Sequence, residues 1–280
     1  MTLNASYKGQ HTAKLLSPAV WGSFPVRQAA CMVGGEYRIA DFRDAASTAI
    51  ATPDASVVSG DIRVSDSGAA DVDIKRSLGD GTPVLDWTPA DGEDLVVGPQ
   101  IVFDMSAGRP WAFECRISDA DASANSVFAG IVSLNGGGAT TFDAYTAAYI
   151  QIDGGTLYQN RAHIGFQAAE AAAVYGVVKD RGTLDASLYQ VDGNSTAIKS
   201  GGTMSAVATM ADDTFVKLGL YSDGRIIRWF VDNSEVAALE MGSTELPSGD
   251  YDSSMVPVVA LNSAGTTLMQ IQWVACGYLV

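Results

Sequence analysis

The chain has 280 residues, carries a formal charge of −15 and is 47% hydrophobic. No apolar run reaches the ~18 residues of a membrane span, and the charge opposes nucleic acid, whose phosphates must be met by Lys and Arg. The apolar fraction is that of a chain with a buried core, and not of a disordered one. Among the acids, 25 are Asp and 7 are Glu. Asp favours turns and Glu favours helices, so this skew, with 29 Gly, implies many short loops between strands.

The first 16 residues, MTLNASYKGQHTAKLL, lack the apolar stretch and small-residue cleavage site of a secretory signal. Residues 1–50 are expected to form an N-terminal arm, and 51–280 a sandwich. Pro and Gly punctuate "SPAVWGSFPVRQAACMVGGEYRI" too often for a long helix. Trp21 and Phe24 have two readings. They form a satellite core pinned to the sandwich, or they are anchors for a partner's groove, with Val20 and Val26 beside them. Tyr37–Ala51 suits a short helix or a pair of strands. Residues 53–95 are rich in Asp, Gly and Ser; "DIRVS" and "DVDIK" read as edge strands among loops.

From Leu95 the strand pattern strengthens. "WAFECRI" alternates cleanly, with Trp111, Phe113, Cys115 and Ile117 facing a core and Glu114 and Arg116 facing water. "VFAGIVSL", "AYIQI", "RAHIGF", "ASLYQV", "FVKLGLYS", "RIIRWFV", "EVAALE" and "VPVVALN" follow, with turn residues between them. "AAEAAA" (168–173) is a local helix former too short to stand alone. In the closing strand "LMQIQWVACGYL", Met269, Ile271, Trp273, Ala275 and Gly277 share one face, read as core. An apolar strand of this length belongs in mid-sheet, since exposed apolar edges aggregate. The whole reads as an all-β, two-sheet antiparallel sandwich. Cys31, Cys115 and Cys276 are odd in number and far apart, without a CxxC pair. They read as buried thiols of a reducing compartment, not as zinc ligands.

"TFVKLGLYSDGRIIRWFVDNSEVAAL", "VPVVALN" and "LMQIQWVACGYL" together resemble the concanavalin-A-like lectin/glucanase jelly roll. The likeness spans roughly 95–280 and concerns packing and turns. Within that fold, the acidic Gly/Ala/Asp-rich chain and its Pro/Gly-rich leader resemble capsid decoration, or cement, proteins of tailed phages. That resemblance implies a non-enzymatic virion protein made in a host cytoplasm. Its partners would be the major capsid protein lattice and sister copies, with trimers preferred.

The family's catalytic patterns match poorly. Glucanases of the fold use Glu-x-Asp-x-x-Glu, two carboxylates flanking the glycosidic bond. Glu235 and Glu240 have the outer spacing, but Ala237 stands in the middle. Glu240 and Glu245 repeat the failure with Gly242. The alginate-lyase pattern finds Gln151-Ile152-Asp153 where a His is needed, and Lys217-x-Gly219-x-Tyr221 as its other strand. An Asp there repels a uronate, so a divergent lyase is a distant alternative. The two histidines, His11 and His163, have no nucleophile elbow to serve, and "LNGGGATT" lacks the Lys of a phosphate loop. Asp119, Asp121, Ser123 and Asn125 place oxygens on alternate residues, as a calcium loop does. Ala124 and Gly130 stand where such a loop has its turn Gly and terminal Glu, so an ordinary Asx-turn loop is the competing reading. No other cofactor is expected. A carbohydrate-binding module is the main alternative function, with loops 119–126, 134–146 and 192–203 as candidate glycan contacts.

Overall fold

The computed structural model describes residues 16–22, 24, 35–40, 49–50, 56–59, 62–66, 71–76, 83–99, 101–102, 108–133, 152–153, 156–157, 163–168, 171–179, 188–191, 197–199, 206–240 and 255–279. One helical turn, α1 (Pro18–Trp21), precedes the strands. In chain order the strands are β1 (Gly35–Ala40), β2 (Ala49–Ile50), β3 (Ser56–Ser59), β4 (Ile62–Asp66), β5 (Asp71–Arg76), β6 (Pro83–Thr88) and β7 (Asp94–Pro99). There follow β8 (Trp111–Asp119), β9 (Ser126–Ser133), β10 (Ile152–Asp153), β11 (Thr156–Leu157), β12 (His163–Ala168), β13 (Ala173–Lys179), β14 (Leu188–Val191), β15 (Ala197–Lys199) and β16 (Ala208–Thr209). The last five are β17 (Val216–Ser222), β18 (Ile226–Val231), β19 (Ser234–Glu240), β20 (Met255–Asn262) and β21 (Met269–Leu279).

Two antiparallel sheets make the jelly-roll sandwich the sequence implied. The first runs β19-β18-β17-β8-β21-β6-β5-β2, with β1 also on β21. The second runs β15-β14-β13-β12-β9-β20-β7-β4-β3, with β16 on β13. The main core lies between them. Leu85, Trp87, Phe113 and Trp229 enter from the first sheet, and Leu95, Ile131, Ile164 and Phe166 from the second. Trp229 reaches furthest: its indole N–H donates to the Gly165 carbonyl across the sandwich at 2.9 Å.

The Ser-Asp-Gly turn between β17 and β18 forms as its residues dictate. Asp223 Oδ1 accepts the Arg225 and Ile226 amides, each at 2.8 Å, while Gly224 takes φ +89°. Asp232 and Asn233 both have positive φ, which suits the tight turn from β18 into β19.

Three expectations need correction. β1 and β2 belong to the first sheet, so the 1–50 boundary cuts through the sandwich. β6 is no loop-borne edge; it pairs on both sides and buries Trp87. Next to the alanine-rich stretch, β12 and β13 pair antiparallel, with Ala168 and Ala172 against the core. In β21 the register shifts between Ile271 and Trp273, a bulge that adds one residue and reverses the faces beyond it. Met269 and Ile271 point into the main core, but after the bulge Val274 and Cys276 do so instead. Trp273 and Ala275 turn to the outer face. The bulge also marks a change of neighbour, β6 before it and β1 after it.

Candidate functional site

The outer face of the first sheet gathers the side chains able to do chemistry, and the register sets them in rows. Asp86, Gln270 and Ser118 lie opposite one another on β6, β21 and β8. In the next row Arg116 faces Lys217 across β8 and β17, with Gln272 of the bulge beside it. One step further are Ala275, Glu114, Gly219 and Phe230, and then Gly277, Ala112, Tyr221 and Arg228.

The first two rows are a polar strip. Gln272, buried, accepts a hydrogen bond from the Arg116 guanidinium. The guanidinium also lies 4.8 Å over the centre of the Phe215 ring. Asp86 holds Gln270 in the same way, accepting its amide at 2.7 Å. Buried groups thus fix the half-exposed Arg116 and Gln270, and Lys217 and Phe215 stand half-exposed beside them.

The next two rows are covered by the N-terminal segment. Val20, Trp21 and Phe24 are buried with Ala112, Tyr221, Phe230, Trp273 and Ala275. Trp21 meets Phe24 and Tyr37 edge-on, each with ring centres 5.5 Å apart. Gly219 is the notch: a methyl there would sit 2.6 Å from Val20 Cγ2. Of the two readings of Trp21 and Phe24, the structure holds the satellite core. The partner-anchor assignment is corrected for Val20, Trp21 and Phe24, whose side chains are already spent on their own sheet. Val26 lies outside the described residues.

Glu114 is the largest departure from the alternation reading. It sits on the outer face as expected, yet only 1% of it is exposed. The Ser17 amide donates to both its oxygens, at 3.3 and 3.0 Å, and the Trp21 indole donates to Oε2 at 2.7 Å. Burial pushes this carboxyl above its ordinary range, against the opposing pull of Ser17, Trp21 and the charge of Lys217. Tyr221 is also pushed up, chiefly by burial and then by Asp223.

The residues of the calcium reading lie together in one loop and hydrogen-bond with one another and with their neighbours. Asn125 turns its amide nitrogen to Asp119 Oδ1, at 2.7 Å, and its oxygen accepts the Ala264 amide. Ser123 gives its hydroxyl to Asp121, and Asp119 Oδ1 caps the Asp121 amide. Three of the loop's oxygens, Asp119 Oδ1, Asp121 Oδ1 and Asn125 Oδ1, thus accept hydrogen bonds. Asp119 Oδ2 is buried without a partner among the described residues, and burial pushes that carboxyl up. Among the described residues no three His, Cys, Asp or Glu side chains are placed to share a metal ion.

Glu235 chelates Arg228 with both oxygens, at 2.9 and 3.1 Å, and Glu240 is exposed at the end of the same strand. They are solvent-facing acids of an edge strand. Ile152–Asp153 pairs with Thr156–Leu157 in a separate ribbon, away from the sheet bearing Lys217 and Tyr221. Gln151, His11, Glu245 and Cys31 lie outside the described residues, as does loop 134–146. His163 is buried on the second sheet, edge-on to Phe128 at 5.2 Å. Cys115 and Cys276 are buried. No helix among the described residues is long and apolar enough to cross a membrane.

The class the architecture defines is the two-sheet antiparallel jelly-roll sandwich. No protein-family model matches the chain, and no curated protein matches it. Among solved structures, a protein of unknown function from Shewanella oneidensis MR-1 superposes with TM-score 0.56. It is 10% identical, over 100% of this chain and 96% of that one. The laminarinase of Rhodothermus marinus (TM-score 0.45, 14% identity, 87% and 96% covered) and peanut lectin (0.44, 10%, 87% and 97%) also match. The first likeness is one of fold, and overlays as loose as the other two say nothing of function.

Proposed function

We propose that this chain is a non-enzymatic carbohydrate-binding module whose seat is the polar strip of the first sheet. The observation that carries this reading is the row of pinned hydrogen-bonding groups. Arg116 is fixed by Gln272 and Gln270 by Asp86, with Lys217 and the Phe215 ring alongside. Sugars are recognised by prepositioned donors and acceptors next to an apolar ring face, and pinning them in advance lowers the ordering cost of binding. The formal charge of −15 opposes a polyanion, so the ligand is a neutral glycan. The test is a glycan array followed by titration of the hits. Wild type binds neutral glycans, and Arg116→Ala and Lys217→Ala each weaken binding tenfold or more. An array without hits removes the reading.

A virion setting for this binding is a second reading, favoured by the acidic Gly/Ala/Asp-rich composition. Such a subunit would decorate a tailed-phage capsid as a homo-oligomer, many weak contacts adding up to firm attachment. Co-sedimentation with decoration-free particles tests it, and a chain that stays in the supernatant at every salt concentration rejects it.

A further inference from the structure

The N-terminal segment lies on ground that adjoins the polar strip. Glu114 and Arg116 are two residues apart on one face of β8, and Gly219 and Lys217 likewise on β17, a step of about 6.8 Å. Beneath the segment are three aromatic rings, Tyr221, Phe230 and Trp273, around one carboxyl. Flat apolar faces beside a fixed hydrogen-bonding group suit a sugar ring as well as they suit Trp21.

The cover fits imperfectly. α1 has four residues, and its N-cap Ser17 makes no side-chain capping bond. A single turn does not hold itself together; among the described residues Glu114, the Gly219 notch and the apolar side chains around it hold this one. One buried donor at this contact finds no acceptor among the described residues, the Trp273 indole N–H. A buried donor left unpaired destabilises the contact that buries it. The covered face thus holds an unmet donor on the sheet side, which a ligand hydroxyl can accept.

We propose that residues 16–24 are a displaceable cover over a second half of the seat, and that a neutral hexose ring takes the place of Trp21 there. In that state its apolar face stacks on Trp273 or Phe230, one hydroxyl accepts the Trp273 N–H, and another donates to Glu114. The inference rests on the glycan reading above, but the two fail separately.

The experiment uses the full chain and the neutral glycans that the array returns. Gly219→Ala pushes a methyl against Val20, and Trp21→Ala removes the indole while leaving the sandwich intact; hydrogen exchange at residues 16–24 reports whether the cover has lifted. With the cover lifted, both variants bind ten times or more tightly, because the competent state no longer has to be populated first. Saturating glycan also speeds exchange of residues 16–24 in wild type. Variants with a lifted cover and wild-type affinity overturn the proposal, as does glycan that slows exchange there. If Arg116→Ala then still abolishes binding, the polar strip stands and only the cover falls. If neither wild type nor either variant binds any neutral glycan, both fall.

Discussion

Trp229→Phe isolates the bond between the two sheets. The indole is fully buried and its N–H reaches the Gly165 carbonyl at 2.9 Å. Phe keeps the six-membered ring and removes the donor. The lost hydrogen bond is worth about 1 kcal/mol net, and leaving the buried carbonyl short of a partner adds about 1 kcal/mol more. The smaller ring leaves a void of about 40 Å³, costing about 1 kcal/mol at about 24 cal/mol per Å³. The sum is about 3 kcal/mol. Trp87→Phe is the internal control. Trp87 is equally buried in the same core, but its N–H finds no acceptor among the described residues. Only the void remains there, about 1 kcal/mol, and removing an unpaired N–H offsets part of it. Urea unfolding followed by far-ultraviolet circular dichroism measures both. Each kcal/mol moves Tm by about 2–4 °C in a domain of this size. Equal losses in the two variants, or a larger one at Trp87, would refute the cross-sheet bond as a stabilising contact.

Three further outcomes follow from the outer face and the loops. Burial raises the Glu114 carboxyl above its ordinary range, so the covered state binds its proton more tightly than an open one. Its contribution is complete below the ordinary glutamate range and fades as pH rises through the raised value. Thermal melts from pH 4 to pH 8, about the window of carboxylate titration, show stability from this group falling, and Glu114→Gln flattens the fall. A slope of opposite sign contradicts the assignment. Millimolar calcium leaves Tm unchanged, since Asp119 Oδ1, Asp121 Oδ1 and Asn125 Oδ1 already accept hydrogen bonds; a rise of more than about 2 °C, the mark of a ligand bound by the native state, supports the calcium reading. Gly224→Val slackens the β17–β18 turn, because φ +89° is strained for any side chain and the Gly108 carbonyl stands behind it. Its cost is about 1–3 kcal/mol, read by urea unfolding, and a neutral substitution argues against that turn.

What the sequence disclosed was local. Alternation placed Trp111, Phe113, Cys115 and Ile117 in the main core, and all four are there. The "SDG" turn and the mid-sheet position of the last strand were equally readable, since each depends on residues within one strand or one hairpin. Period two failed at Gln272, where one added residue reversed every side chain beyond it. No composition cue marks a bulge between two apolar residues, so Trp273 was assigned to the wrong face. β6 was missed for a different reason: Pro83 and Asp86 interrupt its apolar run, and only pairing on both sides makes it central.

Alternation also says which face a residue takes, and nothing of whether that face is wet. Glu114 was placed correctly and still misread, because its burial comes from Ser17 and Trp21, more than ninety positions upstream. Two signals pointed there. Glu is scarce in this chain, with 7 copies, and one set between Phe113 and Cys115 in mid-strand sits badly with strand preferences. Gly219 interrupts the bulky run "VKLGLYS", and a glycine inside a strand marks close approach by something else. Here that something is Val20, and the glycine lies opposite the glutamate in the ladder. A small residue facing an isolated acid on an outer sheet face is thus the sequence trace of a covering segment. It locates the cover without naming it, since the covering residues are chosen by the shape and charge of the notch and not by their distance along the chain.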